Sequence, residues 1–231
     1  MQLTNPFYYL HQSSNKFQSH RKYVVLSTPL RSPLMSSPFP HTPAGLPDLS
    51  PNLAILRDHV FQHALKTGDF TLKSGRASTW FLDTKQTACR PDGILLVADV
   101  VLAMLPADVT AIGGLTMGAD PVAFGVAAIA ASRGRPLRSF SVRKEAKDHG
   151  VTGRLAGALQ PGDKVAIVED TVTRGTSLFE AVDVVRSFGA LPVFITVIVD
   201  RGGTCTEMAR AANIAYEPML TAPQLGHDYN S

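Results

Sequence analysis

Val165-Ala-Ile-Val-Glu-Asp-Thr-Val-Thr-Arg-Gly-Thr-Ser177 is the stretch that decides the fold. Its first four residues, Val165 to Val168, are apolar and read as a strand buried on both faces, the pattern of a parallel sheet. Two carboxylates follow, Glu169 and Asp170, and then a loop of small hydroxylated residues around Gly175. A helical pattern begins at about Ser177, with Glu180 at the spacing of a capping box. Acids at the carboxyl end of a strand, followed by a glycine-bearing loop that opens a helix, occupy the edge where open α/β sheets bind ligands.

The ligand that suits this edge has two faces. Loop N–H groups, hydroxyls and the positive end of a helix suit a phosphate. The acids suit sugar hydroxyls, or a metal that also touches phosphate oxygens. A phosphorylated ribose satisfies both. The stretch is not a P-loop, because the Gly-Lys-Ser/Thr ending is missing, and it is not a dinucleotide fingerprint, because the acids precede the loop.

Outward from this stretch, strands alternate with helices, which argues a parallel sheet. Helices are expected from Ser50 and Pro51 to a stop at Gly68, from Pro91 to about Leu105, over 121–133, over 177–188 and near 205–212. Leu53, Leu56, Val60, Phe61 and Ala64 share one face of the first. Strands are expected at Val109–Gly114, Leu137–Val142 and Val193–Val199, with a strand-turn-strand over Phe70–Asp83 that turns at Ser74-Gly75. The segment Arg143-Lys-Glu-Ala-Lys-Asp-His-Gly150 reads as a loop. Its cations are Arg143, Lys144, Lys147 and His149. They would neutralise a polyanion and close over it as a mobile flap; a solvated surface loop is the competing reading.

Composition sets bounds. The 231 residues suffice for one sizeable core or a domain with a tail, and 45% hydrophobic with 18% charged residues is a globular balance. No apolar run reaches membrane-spanning length. Cys89 and Cys205 make no disulfide framework, so a cytoplasmic location is expected, and no Cys/His cluster has zinc spacing. The formal charge of +3 resides in the N-terminal segment. Lys16, Arg21, Lys22 and Arg31 precede the first acid, Asp48, and without them 18 basic residues face 19 acidic ones. The body therefore offers no argument for nucleic-acid binding. Residues 1–47, rich in Ser, Pro and His, read as an extension distinct from the domain at 48–231. It is a disordered segment, a targeting segment, or the product of an upstream start with Met35 as the true one.

Four stretches together resemble the orotate phosphoribosyltransferases, a family of type I phosphoribosyltransferases. Residues 165–177 resemble the motif for phosphoribosyl pyrophosphate (PRPP), and 143–150 the catalytic loop. Phe70-Thr-Leu-Lys-Ser-Gly-Arg76 resembles the N-terminal loop near the substrate, and Asp200-Arg201-Gly202 the segment that contacts the orotate carboxylate. The resemblance implies an α/β fold with a central parallel sheet flanked by helices. A small hood would lie mainly at 48–90 and a PRPP-binding core at about 91–215. It implies transfer of the phosphoribosyl group of PRPP to orotate, with Mg²⁺, in a homodimer whose catalytic loops are shared across the interface; no nucleic acid and no membrane enter.

Carried onto this chain, the family's roles place ribose hydroxyls on Glu169 and Asp170. The 5′-phosphate falls on Thr173, Arg174, Gly175, Thr176 and Ser177, with Thr171 also among the PRPP-binding residues, and the pyrophosphate on Arg143, Lys144, Lys147 and His149. Lys147 is the residue expected to affect the rate most. Lys73, Thr173 and Arg201 would address orotate. Mg²⁺ would be held through PRPP, near Asp170, with no direct side-chain ligand. The turn Gly114–Asp120 would meet pyrophosphate, although Met117 stands where many members carry lysine, and Glu169 stands where many type I enzymes have Asp. Two other readings compete. A PRPP-sensing regulator would need a basic face or an added DNA-binding domain. A purine-type transferase would not carry the stretches 70–76 and 143–150. Trp80 and Phe81 read as hood core, and His59 and His63 as surface histidines with no third ligand apparent.

Overall fold

A computed structural model describes residues 45–71, 75, 77–147 and 153–229, with Lys147 by its backbone alone. All of them fall in a single compact unit, residues 37–231. The extension expected at 1–47 lies almost wholly outside the described residues.

The chain runs α1 (Pro51–His63), β1 (Leu65–Thr71), β2 (Ala77–Leu82), α2 (Lys85–Ala88), α3 (Pro91–Met104), β3 (Ala111–Leu115) and α4 (Ala119–Ser132). It continues with β4 (Arg138–Lys147), β5 (Gly153–Gly157), β6 (Lys164–Val172), α5 (Thr176–Ser187), β7 (Leu191–Asp200), α6 (Cys205–Ala211), β8 (Ala215–Tyr216) and β9 (Leu220–Thr221). The strands β1 and β2 form an antiparallel pair. The main sheet has the order β5-β4-β3-β6-β7-β8, with β9 also on β7. Every pairing in it is parallel except β4 with β5.

The apolar run in β6 is continuous because both its faces are covered. Ala166 and Val168 pack into a core with Leu56 and Val60 of α1, Val97 and Val101 of α3, and Val122 and Val126 of α4. Val165 and Ile167 point the other way, into a core with Leu178, Val182 and Val185 of α5 and Ala209 of α6. Strand β7 divides likewise, with Phe194 and Ile198 on the first side and Ile195 and Val197 on the second. Among the described residues no helix is long and apolar enough to cross a membrane.

The strand order fixes where a ligand fits. From β3 the chain passes to β4 on one side, and then returns to β6 on the other. The carboxyl ends of β3 and β6 therefore flank a topological switch point, where connections leave in opposite directions and open a crevice.

Several sequence expectations need correction. Helix α1 stops at His63, and Gly68 lies in β1 with φ +149, inside a register shift between Thr67 and Phe70. Bulged strands use glycine in this way. Strand β6 runs on to Val172, so Glu169 and Asp170 are its own residues, not followers of it. No Ser177–Glu180 capping box forms. The cap of α5 is Gly175, left-handed at φ 79, and Glu180 instead pairs with Arg154. Residues 143–147 extend β4, where a loop was expected. The antiparallel partner that supports them, β5, has too weak an apolar pattern to announce itself. Short α2, β8 and β9 were likewise not expected.

Candidate active site

Glu169 and Asp170 end up buried, 7% and 6% exposed. Parallel neighbours fix them there: Glu169 lies opposite Val197 and Thr171 opposite Val199 of β7. Asp170 accepts a hydrogen bond from Lys85 Nζ at 2.5 Å, an ion pair whose lysine is half-exposed. The Thr84 and Thr171 hydroxyls meet at 2.5 Å, so α2 is pinned to the end of β6 at two adjacent points. Burial works against the Lys85 charge, but the bond and charge of Asp170 outweigh it and hold the ammonium above its usual range. Burial, and then the Asp170 charge beside it, pushes Glu169 up to about 8. Two carboxylates so close share their negative charge poorly in a dry site.

The turn after β3 closes over this pair. Gly118 sits so near that an added Cβ would overlap Glu169 Oε1 and come within 2.6 Å of Asp170 Oδ1. Gly114 likewise lies against the Val168 carbonyl. The turn is held from the other side by Asp120, which accepts from Thr116 Oγ1 at 2.6 Å and from the Ser141 hydroxyl of β4. The Thr116–Met117 peptide is cis, and Met117 projects into solvent, 68% exposed.

On the other flank, the left-handed Gly175 turns the chain from β6 into α5. Thr173, Arg174, Thr176 and Ser177 around it are exposed, at a helix start, where the first N–H groups lack partners within the helix and an anion is favoured. The loop is braced by the segment after β7. Gly202 lies against the Thr173 carbonyl with no room for a side chain, and the Thr204 hydroxyl donates to that same carbonyl at 3.1 Å. Buried Asp200 holds this segment by accepting from the Gly202 and Gly203 N–H groups and from the Tyr216 hydroxyl.

Arg201 reaches back to the β1–β2 pair. Its guanidinium lies 4.2 Å from the centre of the Trp80 ring, and Nη2 donates to Ser78 Oγ at 3.2 Å. His227 stacks on Trp80 with ring centres 4.2 Å apart. Trp80 is fully buried, as expected; Phe81, expected in the core, is 39% exposed and packs on Phe70. Strand alternation explains the difference, since neighbours in β2 point to opposite sides.

The expected site residues thus divide. Glu169, Asp170, Thr171, Thr173, Arg174, Gly175, Thr176 and Ser177 form one continuous rim, with Arg201 at the end of the next strand. Arg143 and Lys144 lie on β4, separated from β6 by β3. Arg143 Nη1 donates to the Gly153 carbonyl at 3.1 Å, and Lys144 is exposed. Lys73 and His149 lie outside the described residues, as does the Lys147 side chain. Sequence reasoning missed Lys85, Ser78, the His227 stack and the contact of Gly118 with the acid pair. Each acts through a partner remote in sequence, 85 residues away for Lys85 and Asp170, and no local pattern marks that.

The donor set fits Mg²⁺ held through a bound ligand. The groups at the rim are hard oxygens, and Asp170 is already shared with an ammonium, which argues against an all-protein cage.

No protein-family model matches the chain. Individual relatives do. The orotate phosphoribosyltransferase of Nostoc sp. is 37% identical over 175 residues, 75% of this chain and 85% of that protein. A crystal structure of the Mycobacterium tuberculosis orotate phosphoribosyltransferase with Fe(III) dicitrate superposes with a TM-score of 0.68 at 33% identity, over 76% of this chain and 99% of that one. The same enzyme in complex with PRPP gives 0.64 at 30% identity, again over 76% and 99%. With a central sheet that is parallel but for one edge, helices on both faces, and an acid pair at its switch point, the chain belongs to the orotate phosphoribosyltransferase family.

Proposed function

We propose that the protein transfers the phosphoribosyl group of PRPP to orotate, giving orotidine 5′-monophosphate and pyrophosphate, a step of pyrimidine synthesis in the cytoplasm. The observation that carries this reading is the crevice between β3 and β6. There the Gly118 turn lies directly on Glu169 and Asp170, beside the exposed residues that open α5.

In this reading the 5′-phosphate rests on residues 173–177, and the ribose hydroxyls bond to the carboxylates. That leaves C1 and its diphosphate over the Thr116–Gly118 turn. As the C1–O bond breaks, positive charge grows on the ribose and negative charge on the diphosphate. The carboxylate pair stabilises the first. Backbone N–H groups of the turn, with the cations of 143–149, stabilise the second. A ring nitrogen of orotate then bonds to C1 as its N–H bond breaks, and the proton leaves to the departing pyrophosphate or to solvent. Arg201, held over the Trp80 ring, presents its fork to the orotate carboxylate. Asp170 would lie nearest Mg²⁺ held through PRPP, which would supply further neutralisation of the diphosphate. Lys147 and its neighbours act across a homodimer, each loop serving the partner's site, and residues of the hood at 48–90 cover the orotate side.

The test is the loss of orotate absorbance on mixing with PRPP and Mg²⁺. Loss at micromolar enzyme, with release of pyrophosphate, is expected. No loss, in a preparation shown to be folded, overturns the assignment.

A further inference from the structure

The second concentration of chemistry lies on the side of α1 that faces the start of α3. His59 and His63 stand four apart near the end of α1, one helical turn, so their rings share a face and lie with centres 4.5 Å apart. Asp92, in the first turn of α3, completes the group. One ligand atom from each of the three residues lies within 4.8 Å of the other two. The sequence suggested two surface histidines and no third ligand. Instead His59 is fully buried, and a third residue able to ligate, Asp92, comes from a different helix.

The arrangement is set up around His59. Its Nδ1 lies 3.2 Å from the buried Thr87 hydroxyl, which turns Nε2 toward Asp92, 3.5 Å from Oδ2. A hydrogen bond at one ring nitrogen orients the other for a metal and fixes the tautomer. The ring is held in place by backbone as well. A side chain at Gly93 would come within 2.8 Å of His59 Cε1 and overlap the Thr87 carbonyl, so α3 closes directly on the imidazole. Both histidines lie toward the carboxyl end of α1, where the helix dipole favours a cation.

We propose that His59, His63 and Asp92 form a binding site for a zinc-class divalent transition metal, distinct from the PRPP rim. Two imidazoles and a carboxylate are a donor set for zinc, with a fourth, open position left to water. His63 is half-buried and Asp92 exposed, so an ion reaches the site from solvent without opening the core. Once there, it clips α1 to α3.

The test uses the full chain, stripped of metal and dialysed against limiting Zn²⁺, beside His63→Ala and Asp92→Asn. Neither residue belongs to the PRPP rim, and near-unchanged orotate turnover checks that the variants are folded. About one zinc per wild-type chain is expected, with a rise in the thermal midpoint. Each variant should bind at least about tenfold more weakly and lose that rise. Co²⁺ in place of zinc should give the intense visible absorption of a tetrahedral site in the wild type alone. No zinc bound by the wild type, or zinc retained equally by either folded variant, overturns the proposal. The second result would place the ion on other groups, including the carboxylates of the rim.

Discussion

Glu169 is a carboxyl group placed where ionisation is disfavoured until something positive or hydrogen-bonding arrives. Its raised proton affinity has a consequence for stability. Below about pH 4.5 the group is protonated in both folded and unfolded chains. Between there and about 8 the unfolded chain has released the proton while the folded one keeps it, so this group makes stability fall as pH rises through that window. Denaturant unfolding of the ligand-free protein across the window should show this decline. Glu169→Gln should flatten it, and an equal slope in both proteins would contradict the burial argument. The neighbouring pair makes a second prediction. Lys85→Met leaves the Asp170 charge buried without its ammonium. A loss of about 1 kcal/mol is expected, modest because the lysine is half-exposed. The kcat/KM for PRPP should fall more, on the order of 10²-fold, because the carboxylate proposed to align the ribose is no longer held. Unchanged kcat/KM would show that Lys85 has no part in the site.

At the scale of elements, the site is a meeting of two turns. The β6–α5 turn was legible because every signal for it is local: a continuous apolar run, two acids, a glycine, then a helical period. The turn after β3 was legible as a loop, and the family resemblance gave it a pyrophosphate role, but its contact with the acid pair was not legible. Gly118 matters through side chains some fifty positions away, and nothing within Thr116–Asp120 announces that. Gly118→Ala forces the turn off the carboxylates. Activity should drop on the order of 10²-fold while the thermal midpoint stays within a few degrees. Full activity would mean that the turn and the acids do not work together. The cationic stretch was misread for a related reason. Charged residues with no apolar alternation look like loop, yet pairing with the edge strand β5 carries them on as part of β4 through Lys147. The capping box failed because a left-handed glycine closes the turn more tightly than a serine cap would, and Glu180 found Arg154 across the sheet edge instead. His59 was missed for a third reason: a histidine on a helix reads as surface until the helix that covers it is known.

At the scale of the whole molecule, the parallel sheet was readable from the alternation of strand and helix. The strand order, which creates the crevice, was not, because order is decided by which faces pack together and not by any one segment. Two layers of helices bury β6 from both sides and leave its carboxyl end as the rim. The proposed sharing of loops between protomers belongs to this scale. Mixing Lys147→Ala with Asp170→Ala protein should restore part of the activity, since heterodimers would hold one intact site. No recovery after verified subunit exchange would assign each site to a single chain.

The central claim is that a sugar diphosphate lies across the carboxyl ends of β3 and β6. A crystal structure of the protein with PRPP and Mg²⁺ tests it most directly. The account predicts the 5′-phosphate on residues 173–177, the ribose hydroxyls on Glu169 and Asp170, and the diphosphate over the Thr116–Gly118 turn. A rim left vacant, with PRPP lodged elsewhere on the molecule, would contradict it.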